Sequence, residues 1–213
     1  MQKAKIIKES DKMPKDWTGN SKAVWATLGA SNHTENEREK NDYYATDGKA
    51  AEILLDVESF TPTIWENAVG GGDLADVFIK NGYKVRASDI INRGYPNTEI
   101  IDFLTYNEPI TTDVITNPPY KLATQFVRHS LDLAKDGIKV AMFLKIQFLE
   151  GKERKKLFEK YPPKTIYVSS SRIDCAKNGE FKKMKENGGG ALAYAWYVWV
   201  KGYKGDTIVK WIN

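Results

Sequence analysis

A single cysteine, Cys175, and two histidines, His33 and His129, are all that this chain of 213 residues offers for stapling or metal binding. One thiol cannot close an internal disulfide, and two imidazoles so far apart give no metal-ligand spacing. Neither a disulfide scaffold nor a metal centre is expected, and the setting is that of a reducing cytoplasm. No apolar run reaches the length of a membrane span; the longest, Ala191 to Val200, reads as a buried strand. Met1-Gln2-Lys3-Ala4-Lys5 lacks the apolar block that follows the charged start of a secretory leader. Also missing is any Gly-x-x-x-x-Gly-Lys-Ser/Thr, which disfavours a phosphate cradle of the ATP-binding kind. Repeats and low-complexity tracts are absent as well.

What is present suits one domain with a full core, since 41% of the residues are hydrophobic and 12% aromatic. The net charge of +4 is unevenly placed. Between Gly151 and Asn187, eleven lysines and arginines face five acids, a surplus of six that leaves the rest of the chain slightly acidic. A basic segment on a near-neutral body is the footprint of a phosphate-tracking surface, or else a solvated helix face.

Residues 1–41 read as a polar N-terminal arm carrying Trp17 and Trp25, and 42–213 as the folded domain, with a small basic insert at about 151–190. A helix is expected over Ala50 to Leu55 and strands over Thr63–Trp65 and Lys84–Asp89, with a helix from Leu74 to Asn81 between them. Ile100–Leu104 is a short element, Asp113–Thr116 a strand and Leu122–Lys135 a helix. Ile138–Ile146 is apolar throughout, as in the middle of a parallel sheet, and Lys164–Ser169 and Ala191–Val200 are two more strands. This alternation implies a doubly wound, mostly parallel α/β sheet with helices on both faces.

Two stretches carry chemistry. Val114-Ile115-Thr116 runs into Asn117-Pro118-Pro119-Tyr120. Successive prolines stiffen the backbone, remove two N–H donors and hold the preceding residue extended. An amide, a nearby carbonyl and an aromatic face at fixed separation can hold a flat, amino-bearing group. The bland alternative is a rigid turn with Asn117 as a helix cap. The second stretch, Glu66-Asn67-Ala68-Val69-Gly70-Gly71-Gly72-Asp73, joins the first strand to its helix, where ligands collect in such sheets. Asp89, ending the next strand, can accept both hydroxyls of a ribose. An acid at Glu66 would repel a pyrophosphate but suits a cationic ligand, which favours an adenosyl group with a sulfonium and an amino-acid tail.

The set Glu66-x-Ala68-x-Gly70-x-Gly72, Asp89, Asp102-Phe103-Leu104 and Asn117-Pro118-Pro119-Tyr120 resembles the S-adenosylmethionine-dependent amino-methyltransferases of DNA, and looks closest to small adenine-N6 enzymes of phages and prophages. The motif order is similar to their gamma arrangement, and the likeness spans roughly residues 42–150. It implies a Rossmann-like methyltransferase sheet, S-adenosylmethionine as cofactor and DNA as partner. By position it implies that Asn117, Pro118, Pro119 and Tyr120 carry the transfer. Glu66, with Asn67, Ala68, Gly70 and Gly72, would lie at the methionine end, Asp89 and Ile90 at the ribose, and Asp102 with Phe103 at the adenine. Tyr43, Tyr44 and Thr46 resemble the family's upstream motif, which closes on the methionine carboxylate, although Asp47 stands where proline is usual. Lys152, Arg154, Lys155, Arg172, Lys177, Lys182 and Lys183 are the expected nucleic-acid contacts, and Gly188–Gly190 a hinge or plain loop. With so short a recognition region, sequence specificity is expected to be short or relaxed. The same motif serves enzymes that methylate RNA, cytosine N4 or a protein glutamine, and a fold kept for binding alone is a further alternative.

Overall fold

The computed structural model describes residues 43–213 except 178 and 187–191; the side chains of 177 and 183–185 also lie outside the description. The expected arm over 1–41 and the triglycine at 188–190 therefore fall outside the described residues.

Runs of β-branched and aromatic residues, punctuated by glycine and proline, become the strands of an eight-stranded sheet with the order β10-β7-β9-β6-β5-β2-β3-β4. These are β2 (Thr63–Glu66), β3 (Lys84–Asp89), β4 (Glu99–Ile100), β5 (Asp113–Thr116), β6 (Lys139–Lys145), β7 (Thr165–Ser169), β9 (Tyr194–Val200) and β10 (Ile208–Ile212). A separate antiparallel ribbon joins β1 (Tyr44–Thr46) to β8 (Cys175–Lys177). The helices are α1 (Lys49–Leu55), α2 (Asp73–Lys80), α3 (Ala123–Leu133), α4 (Lys152–Lys160) and α5 (Phe181–Glu186). None of them is long and apolar enough to cross a membrane.

All neighbours pair in parallel except β9, which runs antiparallel to both β6 and β7. The sheet is thus mostly parallel, as expected, and β6 has a parallel neighbour, β5, on one side and the antiparallel β9 on the other. Its residues are buried on both faces either way, so composition alone cannot tell the direction of a neighbour. β9 shows the two-faced burial: Tyr194, Trp196 and Val198 enter one core, Ala195, Tyr197 and Trp199 the other. The first core receives Ala50 and Leu54 of α1 with Leu74 and Phe78 of α2. The second receives Phe126, Val127 and Leu131 of α3 with Leu157 of α4. The sheet is therefore wound on both sides, as expected.

Of the segment 151–190, α4 is a crossover helix and β7 an interior strand of the main sheet. The part that lies off the main sheet begins at Ser170 and includes β8 and α5.

Asp113 secures the opposite, amino edge. It is buried at 3% exposure, and its two oxygens accept from the backbone N–H of Thr61 and of Lys139, each at 2.7 Å. Asp113→Ala leaves both amides without an acceptor. It is expected to destabilise the fold by about 3 kcal/mol in urea unfolding, with an unchanged m-value.

Candidate active site

β2, β3 and β5 end side by side, and their last residues set the site. β3 and β5 flank β2, so the crevice beyond β2 is where the winding direction switches. A cleft opens there. Tyr43, Asn67, Ala68, Asp89, Ile90, Asp102, Phe103, Asn117 and Pro119, all singled out in the sequence, line it.

Glu66 closes β2 beneath the cleft at 2% exposure, and its Oε2 has no hydrogen-bond partner among the described residues. Burial first, then the nearby Asp73, Asp89 and Asp76, hold its carboxyl well above the ordinary carboxylate range. Asn67 is 1% exposed, and neither its Oδ1 nor its Nδ2 has a partner among the described residues. Such unmet groups are costly inside a protein unless a ligand meets them.

The glycine turn is shaped by two rings. Gly70 has φ +56°, and a Cβ there would stand 2.3 Å from the Tyr43 ring. At Gly72, φ is +91° and a Cβ would meet the Tyr95 ring at 2.0 Å. The turn then donates outward, Gly70 N to Asp89 Oδ2 at 2.9 Å and Gly71 N to the Tyr43 hydroxyl at 3.1 Å. Asp89 Oδ1 accepts from Ile91 N at 3.3 Å, which fixes the carboxylate with lone pairs to spare. Asp102 is exposed and uses Oδ1 to cap the short 3-10 turn Phe103–Thr105 through Leu104 N at 3.0 Å. Phe103 is buried against Trp65 and Phe126.

Asn117 follows β5. It caps no helix, since no side chain caps the 3-10 turn Tyr120–Leu122. Its Nδ2 donates to Thr46 Oγ1 at 2.7 Å and to the Tyr44 carbonyl at 3.3 Å, while its Oδ1 is buried without a partner among the described residues. Tyr44 and Thr46, carried by β1, therefore meet the diproline corner and do not line the cleft. Nor does Tyr120, expected to stand free for stacking. Its ring lies between Tyr44 at 5.3 Å and Tyr194 at 5.8 Å, with Lys145 Nζ 4.6 Å from its centroid. Burial, then Cys175, pushes its hydroxyl well above the usual phenol range. Cys175 is itself a buried free thiol, raised by burial to about 11 and so unreactive at neutral pH. Asp47, which replaces the usual proline, accepts from Lys49 N at 3.0 Å where α1 begins.

Sequence reasoning missed Arg93, Ile101, Leu122 and Phe126 in the cleft wall, whereas Leu104, part of the quoted Asp102-Phe103-Leu104, does line it. Arg93 is the cation among the lining residues; its guanidinium lies 4.5 Å from the Tyr43 ring centroid. Its loop carries no periodic pattern, and only its closeness to Asp89 in the chain hinted at it.

The basic residues arise from segments leaving the same carboxyl edge, after β6 and after β7. Lys152, Lys155, Arg172 and Lys182 are exposed, with Lys155 3.7 Å from Glu159. Arg154 is half-buried, 5.3 Å from the Phe148 ring and donating to the Glu150 carbonyl. The side chains of Lys177 and Lys183 lie outside the described residues.

No protein-family model and no curated protein matches the chain. Solved structures do. One is a protein of Agrobacterium tumefaciens described as a predicted O-methyltransferase (TM-score 0.55, 14% identity), with 78% of this chain and 85% of that one covered. A second, from Listeria monocytogenes and put forward as a class I S-adenosylmethionine-dependent methyltransferase, has TM-score 0.51 and 12% identity over 89% of this chain and 71% of that one. The methyltransferase subunit of a type I restriction-modification system from Streptococcus thermophilus has TM-score 0.56 and 13% identity; 88% of this chain covers 49% of the subunit. At these identities the likeness is one of fold, and the chain shares the mostly parallel, Rossmann-like sheet of these structures.

Proposed function

We propose that the protein transfers a methyl group from S-adenosylmethionine to the exocyclic N6 amine of adenine in DNA. One observation carries this reading: the Asn117 amide, stiffened by two prolines, lines the cleft with its Oδ1 buried and unpartnered. A buried acceptor in that state asks for an N–H donor.

The residues fit the cofactor. Glu66 Oε2 and both amide atoms of Asn67 lack partners, the turn at Gly70 would not admit a side chain, and the nearby acids suit a cation. Glu66 and Asn67 would hold the methionine end, Asp89 the ribose hydroxyls, and Asp102 with Phe103 the adenine. Thr46 is engaged by Asn117, which leaves Arg93 for the tail carboxylate. Arg93→Ala is expected to raise the cofactor dissociation constant about tenfold by calorimetry and to leave the melting temperature unchanged.

When bound, S-adenosylmethionine supplies a methyl group already made electrophilic by its sulfonium. Asn117 Oδ1 and the Pro118 carbonyl accept the two N–H bonds of the target amine. They favour a more tetrahedral nitrogen and stabilise the positive charge that develops on it. No strongly shifted base is needed, because the proton becomes acidic after attack. Pro119 and Leu122 would flank the base. A duplex must extrude that base first, at a cost of a few kcal/mol, and exposed Lys152, Lys155, Arg172 and Lys182 would hold the distorted backbone.

Incubation with methyl-labelled cofactor and, separately, DNA, RNA and protein extract tests the assignment. Label recovered from digested DNA as N6-methyladenine supports it. Label confined to RNA, to protein or to cytosine overturns it.

A further inference from the structure

Thr46 resembles a cofactor-binding threonine, yet the fold gives its hydroxyl other work. The residue is 3% exposed and stays out of the cleft wall. Its Oγ1 accepts from Asn117 Nδ2 at 2.7 Å, and Cys175 stands in register opposite it in the ribbon. The other N–H of the same amide goes to the Tyr44 carbonyl at 3.3 Å.

That second partner decides the amide's orientation. A carbonyl oxygen can only accept, so turning the Asn117 amide over would press Oδ1 against the Tyr44 carbonyl. With Thr46 and Tyr44 taking both N–H groups, Oδ1 has one direction left, and there it is buried without a partner. The ribbon that presents these acceptors is itself held. Thr46 is in register with Cys175, Tyr44 with Lys177, and Asp47 N donates to the Asp174 carbonyl at 3.0 Å.

We infer that Thr46 is a positioning residue for methyl transfer: with the Tyr44 carbonyl, its hydroxyl locks the Asn117 amide so that Oδ1 faces the incoming amine. The inference rests on the transfer reading given above. It goes further by moving Thr46 from the cofactor to the catalytic amide, and by giving the β1–β8 ribbon a function. Valine has the shape of threonine but cannot accept a hydrogen bond, so Thr46→Val removes the shorter of the amide's two bonds and leaves it held by the Tyr44 carbonyl alone, at 3.3 Å.

Three measurements test this. In steady-state kinetics Thr46→Val is expected to lower kcat about 100-fold, the scale for a misplaced catalytic group. Its cofactor dissociation constant by calorimetry should stay within about twofold of the parent. Thr46→Ser, which keeps the hydroxyl, should recover most of kcat. In the ligand-free protein, the Asn117 side-chain amide protons, followed by NMR, should exchange with solvent at least about tenfold faster in Thr46→Val than in the parent. Should Thr46→Val not fold, Thr46→Ala takes its place with the same expected values. An unchanged kcat with a weakened cofactor affinity would make Thr46 a cofactor contact and overturn the inference. Unchanged amide exchange would overturn it as well, whatever the enzyme's substrate proves to be. If the parent protein methylates nothing while the exchange rates differ as expected, the transfer reading fails and the lock stands.

Discussion

Asn117→Ala is expected to lower kcat for methyl transfer by about 10²–10³-fold, with cofactor affinity within about twofold of the parent. The magnitude is that of removing one preorganised polar group that meets charge as it develops. Here the group is Oδ1, buried and unpartnered in the free protein, so it needs no reorganisation when an amine arrives. The split between kcat and cofactor binding follows from geography. Asn117 follows β5, whereas Glu66, Asn67 and the glycine turn follow β2, and Asp89 ends β3. Alanine also removes the bonds to Thr46 and Tyr44, so a stability loss of about 1–3 kcal/mol should accompany the kinetic one. Calorimetric binding and a thermal melt on the same sample separate the two effects. A variant that folds, binds cofactor and turns over at the parent rate would remove Asn117 from the chemistry.

Much of this site is readable before any coordinates, because its parts sit in local sequence. Asp113–Thr116 is a short apolar strand stopped by two prolines, and the structure has it with the same bounds. The glycine turn and Asp89 are equally local. What the sequence does not carry is partnership over distance. β1 is three residues long with no period of its own, and its partner β8 lies some 130 residues further on. So Tyr44 and Thr46 looked like cofactor ligands when their partner is the Asn117 amide. Strand β10 was missed for a related reason. Its Trp211 is 72% exposed, it pairs only with β7 among the described strands, and an alternation this weak says little by itself. The helix α4 hid inside a run of lysines that read as a recognition insert. Its acids lie three and four residues from lysines, as Lys156 with Glu153 at 2.7 Å shows, so much of that charge serves the helix itself.

Glu66→Gln should do two opposite things: weaken cofactor binding by at least about thirty-fold and raise the melting temperature of the ligand-free protein near neutral pH. An unfolded chain ionises this carboxyl near its ordinary value of 4.5, whereas the folded protein keeps the proton to well above that. Between those two values the folded form binds more protons, so its stability falls as pH rises through them. Near neutral pH, where an unfolded chain has already ionised this group, burying it is therefore a burden on the free fold, and glutamine, uncharged and nearly isosteric, lifts it. A cationic ligand reverses the balance, since the same charge then has a partner. Cofactor affinity in the parent should accordingly climb with pH until Glu66 is fully ionised, and that dependence should flatten in Glu66→Gln. Thermal melts and calorimetry across the same pH series check both arms. A Glu66→Gln variant with a lower melting temperature would mean that the carboxylate's contacts within the fold, the Ala75 N–H among them, outweigh the cost of its burial. Undiminished cofactor affinity would mean that the acid beneath the glycine turn does not face the ligand's positive charge.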